Sequence, residues 1–117
     1  MENLKNKLIT IYGKGGTYKS TISKLFLNGN SCYMDVEKNN CTLDDIYNNI
    51  NNYDIVVIDY IELLGLTIDD LMRFKNLIKD KNKTLVIVSC CSSTKDLFNE
   101  HYNSLKEVSD IILLTNN

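Results

Sequence analysis

Residues 13–21 read Gly13-Lys14-Gly15-Gly16-Thr17-Tyr18-Lys19-Ser20-Thr21, and this stretch decides how the chain is interpreted. An apolar run at residues 8–12 precedes it, and apolar residues at helical spacing follow it from Ile22 onward. A strand, a glycine-rich loop, Lys-Ser and a helix together are typical of a phosphate-binding loop, because glycines let several backbone N–H groups converge on an anion. All nine residues are therefore predicted to belong to a nucleotide phosphate site.

Two side chains of this loop have specific expected roles. Lys19 is expected to reach the β- and γ-phosphates, and the Ser20 hydroxyl to hold Mg²⁺. The pattern asks for glycine immediately before the lysine, where this chain has Tyr18. Two alternatives stay open. One is a tight strand-to-helix turn with a solvated lysine. The other is a dinucleotide-binding loop, since acidic Asp35 and Glu37 follow about twenty residues on.

The composition limits the classes of protein that need consideration. The chain has 117 residues, of which 44% are hydrophobic, so we expect one domain, residues 1–117, with a substantial core. A net charge of −2 argues against a surface that coats nucleic acid generally. No apolar run approaches membrane-spanning length, so we expect a soluble cytoplasmic protein without membrane contact, in the host cytoplasm if it is viral or plasmid-encoded. His101, the single histidine, is expected in a surface or packing role.

Apolar runs alternate with helical patterns along the whole chain. Strands are predicted at residues 8–12, 32–36, 54–59, 84–89 and 110–114. Helices are predicted at about 19–28, from Thr42, from Thr67 and at about 94–106, where Thr42 and Thr67 each precede an aspartate at the spacing of a helix-start box. Alternation of this kind predicts an α/β fold with a single parallel five-stranded sheet and helices on both faces.

Two carboxylates close predicted strands, at the edge where ligands bind in open α/β sheets. Asp59 ends the β-branched run 55–58 and is expected to hold Mg²⁺ together with Ser20; the alternative is a cap on the following turn. Glu37 follows strand two and is expected to orient and deprotonate the attacking water, with Lys19 as its catalytic partner at the phosphates. The alternative for Glu37 is an ordinary acidic strand end.

These motifs resemble the RecA-type ATPase core, including DnaB-type replicative helicases and phage recombination ATPases. Residues 32–37 are similar to the strand that ends in the catalytic glutamate of this family, and residues 55–64 to its Walker B strand, in which Asp is followed by Tyr and a short apolar stretch. Residues 71–89, a helical pattern that leads into a strand ending in Ser, are similar to the next helicase segment, and residues 104–113 to its last core strand. The resemblance implies ATP and Mg²⁺ as cofactors, ATP hydrolysis in DNA replication or recombination, and a helicase, a recombinase or DNA as partner.

The departures from that family leave alternatives open. Cys90-Cys91 replaces the glutamine that helicases carry after the serine of strand four, and Arg73, the only arginine, lies in a predicted helix instead of following strand five. One alternative is an adaptor or regulator of a helicase or recombinase, nucleotide-binding or nucleotide-free, that has the fold with weak or absent turnover. Another is a small partition ATPase, because residues 14–20 also resemble the ParA/MinD loop, whose early lysine, here Lys14, reaches the nucleotide of a partner in a nucleotide-dependent homo-oligomer.

Overall fold

The computed structural model describes residues 4–91 and 100–115. In chain order the elements are β1 Leu8–Lys14, α1 Lys19–Lys24, β2 Ser31–Asp35, α2 Val36–Asn39, α3 Leu43–Asn52, β3 Ile55–Asp59, a 3₁₀ turn Ile61–Leu64, α4 Ile68–Lys81, β4 Thr84–Cys91, α5 Glu100–Val108 and β5 Ile111–Thr115. None of the helices in these residues has the length and apolar composition that crossing a membrane requires.

The five strands form one parallel sheet in the order β2-β3-β4-β1-β5. Strand β1 lies between β4 and β5, with Ile9 opposite Val86 on one side and opposite Ile111 on the other. Because every strand runs in the same direction, the carboxyl ends of β1, β3 and β4 meet at one edge. The predicted fold class, a single parallel five-stranded sheet, is confirmed.

Helices cover both faces of the sheet. One face packs a large core that includes Ile46 of α3, Phe74 of α4 and Leu105 of α5, whereas Ile22 of α1 packs with Ile9 on the opposite face. Strand β3 is buried along its whole length, as its four β-branched residues predicted. Fully burying a side chain the size of Phe74 contributes about 2–3 kcal/mol to folding. Because helices pack on both faces in this way, the carboxyl ends of the strands are held in a fixed position.

The helix-start boxes read from the sequence are present. The Asp45 N–H donates to Thr42 Oγ1 at 3.3 Å, and the Thr42 N–H donates to Asp45 Oδ2 at 2.8 Å. Thr67 and Asp70 make the same exchange at the start of α4. Each box satisfies two N–H groups that the first turn of a helix otherwise leaves unpaired.

Some predicted boundaries differ from the observed ones. Helix α1 ends at Lys24, short of the predicted end near residue 28, because the Leu25 N–H donates to the Ile22 carbonyl three residues back and tightens the last turn. Strand β2 ends at Asp35, one residue early, because the Asp35 carboxylate accepts the Lys38 N–H at 2.9 Å and starts α2. Residues 94–99 of the predicted last helix lie outside the described residues.

Candidate functional site

The loop between β1 and α1 is tied to the last strand of the sheet. A Cβ atom on Gly13 would lie 2.2 Å from the Thr115 carbonyl oxygen of β5, so only glycine fits at this position without movement. Thr17 is buried; its hydroxyl donates to the Lys14 carbonyl at 2.7 Å, and its Oγ1 lies 2.7 Å from Thr115 Oγ1, within hydrogen-bond distance. These contacts fix the loop against the strands on which it is built.

Tyr18 adopts a left-handed backbone conformation, with φ of 62°. The pattern of phosphate-binding loops has glycine here, and this φ gives the physical reason, since a residue with a Cβ loses roughly 1–2 kcal/mol in that region. The Tyr18 side chain is 74% exposed. Its ring therefore leaves the interior of the loop open, and the departure from the pattern affects backbone strain more than space.

Lys19 is held inside the loop. It is only 8% exposed, and its ammonium donates to the Lys14 carbonyl at 2.5 Å and to Thr17 Oγ1 at 3.2 Å. A buried positive charge that is enclosed by the loop's own oxygen atoms attracts an anion strongly, because little solvent screens it. Lys14 contributes its carbonyl to this arrangement, whereas its side chain is exposed.

The two residues predicted to bind metal are in contact. Ser20 Oγ donates a hydrogen bond to Asp59 Oδ2, the Tyr33 hydroxyl donates to the same oxygen, and the Tyr60 N–H donates to Oδ1 at 2.9 Å. Asp59 is 3% exposed, and these three donors are neutral. Burial, together with the hydrogen bond to the Asp59 carboxylate, raises the pKa of Tyr33, so this phenol stays protonated and keeps its donor role.

A cavity of about 250 Å³ lies between the loop and the ends of β3 and β4. Its described lining is formed by residues 15–21 of the loop, with Asp59, Tyr60, Glu62, Val88 and Cys90 opposite. The structure therefore brings seven of the nine loop residues to one cavity with the carboxylate of Asp59. Gly13 and Lys14 are not among the residues of this described lining, and they hold the loop in place through the contacts described above.

Glu37 does not reach this cavity. It lies exposed in the first turn of α2, which begins directly after Asp35, and it is not among the residues of the described cavity lining. Asp35 is buried and caps that helix. The assignment of Glu37 as the base thus stays a prediction from the sequence, and it receives no geometric support from the position of its side chain.

Glu62 lines the cavity, although no sequence motif predicted a role for it. Its Oε1 atom accepts the backbone N–H of Cys90 at 3.3 Å, which joins the 3₁₀ turn to the end of β4. Burial raises the pKa of the Glu62 carboxyl, while the hydrogen bonds it accepts and the charge of Lys19 oppose that rise. A single acidic residue within the apolar stretch 61–64 was the signal available in the sequence.

His101 has a packing role, as its surroundings show. Its Nε2 atom lies 2.8 Å from the hydroxyl of Ser89, a fully buried residue near the end of β4. Burial lowers the pKa of His101, because the charged imidazolium loses hydration there. The contact between the neutral ring and Ser89 therefore joins α5 to β4.

The sheet and the loop together define the fold, a parallel α/β sheet of the RecA-like type with a loop of the phosphate-binding form after β1. Among solved structures, the chain is similar to the flagellar accessory protein FlaH from Methanocaldococcus jannaschii, with a TM-score of 0.68 and 16% identity over 96% of this chain and 72% of that one. It is also similar to a DNA replication initiation factor, with a TM-score of 0.62 and 16% identity over 99% of this chain. The chain spans only 41% of that factor's length.

These two similarities establish the fold alone, because one fold hosts many activities. No protein-family model matches the sequence, and no curated protein matches it.

Proposed function

We propose that the protein binds Mg-ATP in the cavity beside the loop and hydrolyses it, as a minimal RecA-like ATPase in DNA replication or recombination. The observation that carries this proposal is the convergence of Lys19, Ser20 and Asp59 on one cavity. The choice of ATP rests on the resemblance of the motifs, since the cavity itself identifies only a phosphate-bearing ligand.

Two features support phosphate binding by the loop. The ammonium of Lys19 is buried against oxygen atoms that belong to the loop, so a phosphate oxygen can replace those neutral partners with a full negative charge. Residues 15–21 line the cavity, and among them Gly16 has a φ of 80° that glycine adopts readily. Glycine-rich loops of this form bind anions through their backbone N–H groups.

The Ser20 and Asp59 pair fits Mg²⁺. A buried carboxylate that receives hydrogen bonds from neutral donors gains stability from a nearby cation, and a hydroxyl and a carboxylate are oxygen ligands that Mg²⁺ accepts. Mg²⁺ characteristically uses one or two protein oxygens plus substrate phosphates. When bound, the ion would neutralise charge on the phosphates.

The role in DNA metabolism comes from the resemblance of residues 32–37 and 55–64 to the helicase and recombinase core. A replication initiation factor among the structural neighbours agrees with it. Its partner would then be a helicase, a recombinase or DNA itself.

A binding-only adaptor is the second candidate. Arg73, the only arginine of the chain, is exposed on α4 and does not line the cavity, so this chain supplies no arginine to the phosphates from that position. A partition-type dimer is a third candidate, favoured by the exposed side chain of Lys14. A protein of either kind would still bind nucleotide through Lys19.

Calorimetric titration with Mg-ATP tests the proposal, with Lys19→Ala as the key variant and Lys106→Ala, an exposed change on α5, as the matched control. Lys19→Ala should abolish binding, whereas Lys106→Ala should bind like the wild type. Unchanged affinity in Lys19→Ala would refute the phosphate site. Measuring phosphate release with and without single-stranded DNA then distinguishes an ATPase from a binding-only adaptor. The partition-type dimer is tested by measuring molecular size in the presence of ATP, since a dimer of that type should be lost in Lys14→Ala.

A further inference from the structure

Two carboxylates lie among the described residues that line the cavity, and their surroundings differ. Asp59 accepts hydrogen bonds from Ser20, Tyr33 and the Tyr60 backbone, which hold it next to the first turn of α1. Glu62 accepts the Cys90 backbone N–H and is half-buried. Asp59 is therefore placed to hold a cation beside Ser20, and a different task is open to Glu62.

The backbone between these two residues explains how Glu62 returns to the cavity. Tyr60 takes a left-handed conformation, with φ of 61°, directly after β3, and the 3₁₀ turn begins at the next residue. In the 3₁₀ turn that follows, Ile61 is buried in the core and Leu63 is 57% exposed. Ile61 anchors the turn, and the bond to Cys90 fixes the carboxylate of Glu62 against β4.

The surroundings of Glu62 suit a group that accepts a proton. Its carboxylate shares the cavity with Lys19, whose ammonium marks the expected position of the terminal phosphates. Partial burial removes water from the carboxylate and raises the pKa of Glu62, which makes it a stronger base than an exposed glutamate. Glu37, in contrast, is exposed on α2.

We propose that Glu62 is the general base for nucleoside triphosphate hydrolysis in this cavity. In this step the oxygen of a water molecule bonds to the γ-phosphorus, the bond from that phosphorus to the β–γ bridging oxygen breaks, and ADP leaves with that oxygen. The proton of the water passes to the Glu62 carboxylate and then to solvent. This inference rests on the proposed function, because it assigns a role within the same site.

The test compares three isosteric variants, Glu62→Gln, Glu37→Gln and Glu107→Gln, where Glu107 is exposed on α5 and serves as the control. Glu62→Gln should bind Mg-ATP within about twofold of the wild-type affinity and should lose about 10²- to 10⁴-fold in kcat, the range that a general base contributes. Glu107→Gln should hydrolyse ATP at the wild-type rate. A purely structural role for Glu62 would change affinity or melting temperature and leave kcat per folded molecule intact.

The outcomes separate this inference from the proposed function. If the wild type fails to bind Mg-ATP, or binds it without hydrolysis, the proposed function and the role of Glu62 fall together. If the wild type hydrolyses ATP and Glu62→Gln keeps wild-type kcat, only the role of Glu62 is overturned, and loss of kcat in Glu37→Gln would then assign the base to α2. Should Glu62→Gln not fold, Glu62→Asp takes its place: kcat should fall at least tenfold at unchanged affinity, and an unchanged kcat overturns the inference.

Discussion

The Ser20 hydroxyl donates a hydrogen bond to Oδ2 of Asp59, which lies 39 residues further along the chain. This bond joins the first turn of α1 to the carboxyl end of β3, and both residues line the cavity. Tyr33, from the neighbouring strand β2, donates to the same oxygen. Three elements thus converge on one carboxylate, and its orientation is set before any ligand enters.

We expect Asp59→Asn to weaken binding of ATP in the presence of Mg²⁺ by at least tenfold and to leave binding in EDTA nearly unchanged. Loss of the negative charge removes the attraction for the metal but retains a side chain of the same shape. Titration of ATP with and without Mg²⁺ measures the effect. Asp44→Asn, an exposed change on α3, is the control. Equal losses in Mg²⁺ and in EDTA would contradict a metal role for Asp59.

Tyr18→Gly should stabilise the fold by about 0.5–1 kcal/mol. Glycine relieves the left-handed strain at φ of 62°, and the greater freedom of glycine in the unfolded chain offsets part of that gain. Urea denaturation gives the free energy of unfolding. Tyr18→Ala removes the ring but keeps the strain, so it should show no such gain; equal stabilities of the two variants would refute this account of the loop.

Gly13→Ala should lower the free energy of unfolding by about 1–3 kcal/mol, because the added methyl group overlaps the Thr115 backbone oxygen at 2.2 Å and forces β5 to move. Gly15→Ala is the matched control, since its nearest neighbour is the Cys90 sulfur at 3.5 Å, an ordinary contact. Chemical denaturation of both variants measures the difference. If Gly13→Ala is as stable as Gly15→Ala, the close approach of β1 to β5 does not restrict this position.

The stability of the protein should fall as the pH drops below about 6.5, in part because of His101. Its pKa is lowered in the folded state, so between the two pKa values the unfolded chain binds a proton that the folded protein does not. The free energy of unfolding therefore decreases through this range. His101→Gln removes the chain's only histidine titration, and its stability deficit against the wild type should shrink from pH 7.5 to pH 5.5 in urea titrations. A constant deficit would show that His101 titrates alike in both states.

Much of the fold could be predicted because local sequence and global packing agree. The β-branched run of β3 and the boxes at Thr42 and Thr67 each specify one conformation over a few neighbouring residues. The end of α1 could not be predicted in the same way, since the apolar residues that follow Lys24 still continue a helical spacing. After Lys24 the backbone N–H groups of the next three residues donate to carbonyls three residues back, which tightens the last turn, and a periodic pattern contains no information about that change.

The residues of the candidate site also differ in how far local sequence could predict their positions. Lys19, Ser20 and Asp59 could be predicted because a loop motif and a strand end fix their relative positions within one fold. Glu62 could not, because its place depends on the left-handed backbone of Tyr60, a conformation that tyrosine rarely adopts. Glu37 was assigned from its position after a predicted strand that ended at residue 36. Strand β2 instead ends at Asp35, so Glu37 belongs to α2 and is not part of the described cavity lining.

The ammonium of Lys19 already donates hydrogen bonds within the loop, so nucleotide affinity depends on how well a phosphate competes for this group. The ammonium has three N–H donors, and two of them bond to the Lys14 carbonyl and the Thr17 hydroxyl, so an incoming phosphate competes with these oxygens for part of the donor set. Thr17→Val would remove one internal competitor together with the bonds from Thr17 to the Lys14 carbonyl and to Thr115. Such a variant should bind the nucleotide more tightly while it unfolds more easily. The tighter binding would then reflect weaker hydrogen bonding within the ligand-free loop, and not better contacts between the protein and the nucleotide.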